Sequence, residues 1–286
     1  MYEAKIENKS GEVMLLTGKE DRWQVISITG LNPTPAQINT VTAAGMDGAL
    51  FNSSRLNVKN IVITIRLNGD VERNRLELYE YFRSAEWCRF YYSNDSRAVY
   101  IDGYVETVEC NHFSNSETMQ ISILCPRSYF SALTEIVTDI SNTVKLFKFP
   151  FCINVGEPMP FSLYLENRIT NIYNASGGEI GMIITITVKS AINSIVIKNT
   201  LTGAEFGLTY TFAAADVITI NTNDGSKSIF LLRDGSEVNL FPALADGSIF
   251  LQLAAGSNTF GYLADGGASD DAVEISFAYR NQYRGV

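Results

Sequence analysis

Histidine occurs once in 286 residues, as His112. A hydrolase built on a nucleophile and an imidazole base would have to draw on that one side chain. Cys110 lies two residues before it, which on a strand puts both on one face, yet a lone Cys-x-His has little specificity. The four cysteines, Cys88, Cys110, Cys125 and Cys152, show no Cys-x-x-Cys spacing. His112 with Cys110, Cys88 and Cys125 therefore lacks a recognisable zinc-ligand pattern, and buried reduced thiols are expected. No metal or cofactor site follows from the sequence.

Long apolar runs are also missing. None approaches the roughly 18 residues that cross a bilayer. The opening stretch "MYEAKIENKSGEVMLLTGKEDRW" has neither the basic start nor the apolar middle of a signal peptide. The expectation is a protein made in a cytoplasm, without membrane insertion, in which the sequons at Asn8, Asn52 and Asn174 carry no meaning. A basic surplus is absent too: net charge is −9, with 15 basic against 18 acidic residues up to residue 148 and 7 against 13 beyond it. Neither half has the positive field that binds phosphate backbones, so a nucleic-acid ligand is not expected. None of the 31 acidic residues is singled out as a catalytic carboxylate pair. The two tryptophans, Trp23 and Trp87, both fall in the first half. Sugar stacking in the second half would thus rest on tyrosines such as Tyr164, Tyr210 and Tyr262, which more often pack into a core or interface.

Period-2 hydrophobicity is abundant. "EVMLLT" (12–17), "WQVISIT" (23–29), "IVITIRL" (61–67) and "TMQISILC" (118–125) alternate as half-buried strands do, and in the third Ile61, Ile63, Ile65 and Leu67 share one face. Only "DVERNRLELYEYFRSA" (70–85) reads as helix. Asp70 is its N-cap, ion pairs are available at Glu72–Arg75, Arg73–Glu77 and Glu80–Arg83, and Leu78, Tyr79 and Phe82 with Val71 form its inward face. Three of the seven prolines, Pro150, Pro158 and Pro160, cluster within eleven residues. They place a linker at 141–160 between a domain at 1–140 and one at 161–286.

Beyond residue 161 the chain reads as strand and turn throughout. "FSLYLENRI", "GMIITITV", "NSIVIKNTLTG", "EFGLTYTF", "DVITI", "KSIFLLRDG", "GSIFLQL", "NTFGYL" and "AVEISFAYR" are separated by turn signals such as "NTNDGS" every eight to twelve residues. That spacing predicts an antiparallel sandwich.

"AAGMDGALFNSSRL" (43–56) has two glycines three apart and could suggest a phosphate cradle. It matches neither G-x-x-x-x-G-K-[ST] nor G-x-G-x-x-G and precedes a strand, so no helix N-terminus is on offer to an anion. Gly45 and Gly48 read as turn positions. Whether Leu50 and Phe51 pack on their own sheet or on another chain is open.

Taken in order, "ENKSGEVMLLT", "ITGLNPTPAQINT", "GMDGALFNSSRLNVKNIVITIRLNGDVERNRLELYEYF", "DSRAVYIDGYVETVE" and "ETMQISILCPRSYF" cover nearly all of residues 6–130. Together they resemble the distal tail (Dit-like) proteins of siphovirus-type phages. "INTNDGSKSIFLL", "LQLAAGSNTFGYL" and "VEISFAYRNQYRGV" resemble the family's C-terminal part more loosely, with Ala255 where proline is common.

The resemblance implies a mainly β fold: an N-terminal tail-tube-like β-sandwich with one α-helix, then a C-terminal antiparallel galectin-like β-sandwich. It implies a non-enzymatic virion structural protein, a homohexameric ring at the tail tip or baseplate, assembled in the bacterial host's cytoplasm. Partners would be the tail tube protein, the tape-measure protein, a tail-associated lysin or hub protein and a receptor-binding protein. A stretch at about 33–58 corresponds to a loop that reaches the neighbouring subunit, with Met46, Asp47, Leu50, Phe51 and Arg55 as interface candidates. The alternative is an adhesion module whose C-terminal sandwich contacts host cell-wall polysaccharide. Phage, prophage and bacteriocin particle are equally compatible with these residues.

Overall fold

The computed structural model describes residues 2–17, 22–112, 117–140, 143–145, 162–164, 169–265 and 272–286, the short pieces at 143–145 and 162–164 by backbone alone. Cys152 and most of the expected 141–160 linker lie outside the described residues. The chain divides into two compact units, residues 1–134 with 282–286, and residues 135–281.

In the first unit, strands run β1 (Glu3–Asn8), β2 (Val13–Leu15), β3 (Trp23–Thr29), β4 (Ala36–Val41), β5 (Leu50–Leu56) and β6 (Lys59–Leu67). Helix α1 (Val71–Tyr81) follows, then β7 (Trp87–Ser93), β8 (Ala98–Cys110), β9 (Thr118–Cys125) and β10 (Phe130–Ala132). The main antiparallel sheet has the order β2-β1-β7-β8-β9-β6-β3, with β10 pairing β8 and the short strand Gln282–Tyr283. The period-2 pattern is obeyed in β6, where Ile61, Ile63, Ile65 and Leu67 all point into the core. Opposite them in register, Ile61 meets Ile123, Ile63 meets Ile121 and Ile65 meets Met119.

Helix α1 closes that core and ends at Tyr81, four residues short of the stretch that reads as helical from sequence. The Asp70 side chain accepts from the Arg73 N–H at 3.3 Å, the expected N-cap. Leu78 and Phe82 are buried as anticipated, but the fully inward tyrosine is Tyr81 rather than Tyr79. The Tyr81 hydroxyl lies 2.7 Å from the carbonyl oxygens of both Ile6 and Glu12, so the helix is tied to the β1–β2 turn. Glu72 pairs with Arg75 as read, whereas Glu77 pairs with Arg22 at 2.7 Å and Arg83 Nε donates to the Glu80 carbonyl at 3.1 Å. The tertiary partner wins because Arg22 approaches from outside the helix, where the i,i+4 spacing has no say.

The second unit is an antiparallel sandwich. One sheet has the order Ile136–Ile140, Val273–Tyr279, Ile183–Val188, Val217–Asn221, Ser228–Arg233, Ser236–Asn239. The other runs Ile169–Asn174, Gly256–Asp265, Ile192–Asn199, Glu205–Phe212. Their inward faces merge in one core, with Phe260 stacked on Phe277 at 5.3 Å between ring centres. "GSIFLQL" is not a strand. Its Leu251 and Leu253 are buried alternately, but the backbone pairs only in passing, Ile249 N–H to Glu205 and Leu253 with Ile180 in both directions. Alternation here marks a connector with two buried leucines, not a strand.

The turn at Ala254–Asn258 works without proline. Asn258 accepts from the Ala254 N–H at 3.0 Å and donates to the Ala254 and Gly256 carbonyls at 2.7 and 3.1 Å. Gly256 supplies the left-handed φ of +91°.

Candidate interaction surface

Strands β4 and β5 pair with each other and, among the described strands, with nothing else. Pro33 and Pro35 lead into them; lacking N–H groups, they cannot extend the main sheet's ladder, and the chain leaves it. The tip turns on Gly45 and Gly48, both left-handed at φ +84° and +89°, and the Met46 N–H donates to the Ala43 carbonyl at 3.3 Å. These glycines are turn residues. A side chain there would meet no atom within 4 Å; the backbone conformation alone selects glycine.

Every residue of β4, and every residue of β5 except Leu56, is exposed. Ile38 is 63% exposed, Leu50 56% and Phe51 67%, and Val41 and Met46 are also open to solvent. An isolated two-stranded hairpin is marginal in water, and these apolar side chains are uncovered in the single chain. Leu50 and Phe51 do not pack on their own sheet.

The hairpin has two unlike faces. Gln37 opposes Arg55 and Asn39 opposes Ser53, and both pairs are hydrogen-bonded: Arg55 Nε and Nη2 donate to Gln37 Oε1 at 3.1 and 2.9 Å, and Asn39 Nδ2 donates to Ser53 Oγ at 3.0 Å. Ile38 opposes Ser54 and Ala36 opposes Leu56 on the other side. The register then slips so that Thr40 opposes Phe51, with Asn52 as the extra residue. Strand residues alternate faces, so this one-residue bulge carries Phe51 from the polar face to that of Ile38 and Leu56. Arg55 is held by Gln37 within its own hairpin. Met46 and Asp47 sit at the tip and Leu50 at the start of β5 on the Val41 side. Sequence reading missed Ile38, and no residue signature announces the bulge.

Chemistry elsewhere is sparse. Cys110, His112 and Glu117 offer ligand atoms within 4.8 Å of one another, while Cys88 and Cys125 lie apart in the core. Arg75 Nη1 stands 2.5 Å from His112 Nδ1. A guanidinium can only donate, so Nδ1 accepts, and Glu72 also holds Arg75. Burial, with the Glu117 carboxylate beside it, raises the Cys110 thiol above its ordinary value, which keeps it protonated and not nucleophilic. Burial likewise pushes Cys88 and Cys125 up to about 12.

Of the tyrosines considered for sugar stacking, Tyr262 is 6% exposed and belongs to the sandwich core, so it has no ring face to present. Tyr210 is partly exposed, with the Arg233 guanidinium 5.8 Å from its ring centre. The Tyr164 side chain lies outside the described residues.

Residues 177–283 match the siphovirus-type tail component, C-terminal domain, and residues 18–125 match the phage tail protein RIFT-related domain. The chain belongs to the siphovirus distal tail (Dit-like) protein family. The crystal structure of phage SPP1 Dit, described as a paradigm of hub adsorption apparatus in phages infecting Gram-positive bacteria, is 14% identical, covers 97% of this chain and 98% of its own, and superposes with a TM-score of 0.69. A component of the phage P2 baseplate in its activated conformation with calcium is 12% identical over 97% of this chain and 98% of its own, at a TM-score of 0.52. The strontium form gives 12%, 98%, 98% and 0.51. At such identities these likenesses speak for the fold. No curated protein matches the chain.

Proposed function

We propose that this Dit-like chain is a non-enzymatic hub of a phage tail, forming a homohexameric ring at the tail tip or baseplate. One observation carries the reading: the β4–β5 hairpin stands off its own core with Ile38 and Phe51 uncovered on one face. A closed ring needs a heterologous contact in which one patch on each copy meets a different patch on the next. A projecting arm supplies such a patch. The Dit-like relatives, described as hub and baseplate proteins, support the same role.

In this role the first unit forms the ring and joins the tail tube protein, next to the tape-measure protein. The second unit meets the tail-associated lysin or hub protein and a receptor-binding protein. The chain works by presenting surfaces. Native mass spectrometry of the purified protein over a concentration series is expected to show a six-copy species. A strict monomer at high concentration that binds cell-wall polysaccharide would refute the ring and favour an adhesion module.

A further inference from the structure

Lys59 opens β6, three residues past the end of β5, and is 2% exposed. Its Nζ donates to the carbonyls of Asn32 at 2.7 Å, Arg284 at 3.2 Å and Gly30 at 3.3 Å, and lies 4.8 Å from the centre of the Phe130 ring. Three acceptors use all three ammonium protons, which is what makes a buried charge tolerable. Gly30 and Asn32 belong to the stretch that leads into the arm. Arg284 belongs to segment 282–286, which follows the whole second unit in sequence yet packs with the first.

That segment is seated at several points. Tyr283 pairs with Phe130, the Val286 N–H donates to the Leu31 carbonyl at 3.0 Å, and Arg97 Nη1 donates to the Gly285 carbonyl at 2.8 Å. Arg97 also lies 4.5 Å from the Tyr283 ring centre. Gly285 passes so close to the arm's entry that a Cβ would stand 2.9 Å from Pro33 Cδ and 3.0 Å from the Leu31 carbonyl oxygen. The arm's exit is fastened beside it, Asn57 N–H to the Pro35 carbonyl at 3.1 Å and Ser128 Oγ to the Asn57 carbonyl at 2.6 Å.

We propose that segment 282–286 is a strap that fixes the bearing of the hairpin arm through Lys59 and Pro33. The arm is then set for a neighbouring copy only in a chain that has built its second unit and delivered the strap to the first. The strap makes assembly competence conditional on synthesis of residues 135–281, which precede it. This inference rests on the arm being the ring contact.

The test compares the full chain with one lacking residues 282–286 and with Gly285→Ala, a single methyl aimed at Pro33. Hydrogen exchange is read on peptides spanning 30–35 and 54–60, with peptides from 183–188 and 217–221 as the second-unit control. Both variants are expected to lose at least tenfold protection at the arm root, with the control peptides unchanged, and to lose at least tenfold in ring fraction by native mass spectrometry. Unchanged protection at the arm root in Gly285→Ala overturns the strap, as does lost protection with normal rings. Because the full deletion could loosen the first unit as a whole, Gly285→Ala decides. Phe51→Ser is run in parallel: if its rings also form normally, the arm reading fails rather than the strap.

Discussion

Phe51→Ser separates assembly from folding more cleanly than any other change to the arm. Full burial of a phenylalanine side chain is worth about 1.5 to 3 kcal/mol relative to leaving it in water. Phe51 is 67% exposed in the single chain, so roughly two-thirds of that, about 1 to 2 kcal/mol, is there to be gained at one contact. With about 1.4 kcal/mol per factor of ten, each contact weakens roughly 5- to 30-fold. A closed ring of six has six such contacts, a total of about 6 to 12 kcal/mol, and six-fold association scales with the fifth power of concentration. The midpoint of assembly therefore rises by about 7- to 50-fold. The single chain gives up almost nothing, because no core atom covers the ring, and its stability stays within about 0.5 kcal/mol. Sedimentation velocity over a concentration series reads the midpoint, and thermal melting of the dilute protein reads the fold. Ser53→Ala, on the opposite face of the same hairpin, serves as the control and leaves the midpoint in place. A Phe51→Ser midpoint equal to wild type would refute the reasoning, as would a variant that melts several degrees early.

Other residues give sharper tests of folding. Phe82→Ala removes a side chain 2% exposed beneath α1 and is expected to cost about 3 to 5 kcal/mol by chemical denaturation. Tyr81→Phe deletes only the hydroxyl beside the Ile6 and Glu12 carbonyls and should cost about 1 to 2 kcal/mol in the same assay. Asn174→Ala strips a buried amide that donates to the Gly178 and Leu253 carbonyls, each at 2.9 Å, and accepts from the Ser176 N–H at 2.8 Å; a loss of about 1 to 3 kcal/mol is expected. Asp216 accepts Arg233 in a fork, 2.8 Å from Nε and 2.5 Å from Nη2, and also the Ala213 N–H; chiefly the Arg233 bonds hold its carboxyl below the ordinary 3.8. The unfolded chain therefore binds a proton at Asp216 before the folded chain does. The stabilisation is full above about pH 4 and drains as pH falls through the lowered value. The stability gap between wild type and Asp216→Asn should accordingly narrow on acidification below about pH 4, and a gap that stays constant would place the effect elsewhere.

What sequence could show, and what it could not, divides along the range of the interactions. The alternation in 61–67 and 118–125 is a local record of burial; β6 carries it residue for residue, and β9 does so except at Ser122, which is buried as well. Asp70 at the start of α1 is equally local, since a cap needs only the next turn. Sequence put Tyr79 on the inward face where the structure puts Tyr81, because the choice depends on two carbonyls in the β1–β2 region some seventy residues away. The bulge at Asn52 is invisible for another reason. A polar residue between Phe51 and Ser53 fits a regular strand as well as a slipped one, and only pairing with β4 tells them apart.

Lys59 is the extreme case. It occupies an inward position in phase with Ile61 and Ile63, where a charged residue argues against burial unless it is paired. Its partners are backbone carbonyls, which every residue has and no sequence pattern distinguishes, and one of them lies 225 residues away. A side-chain counter-ion would have left a second charge to look for; a cage of carbonyls leaves none. The same property makes the site demanding on the fold, since a charge paired only by backbone is satisfied only when the backbone is in place. If Lys59 reports on the seating of Arg284, then Lys59→Met should loosen the dependence. An apolar side chain of similar length has no acceptors to lose, so hydrogen exchange at 30–35 should respond less to removal of 282–286 in a Lys59→Met chain than in wild type. Equal responses in the two backgrounds would mean that Gly285 against Pro33, and not the ammonium, carries the strap's hold on the arm.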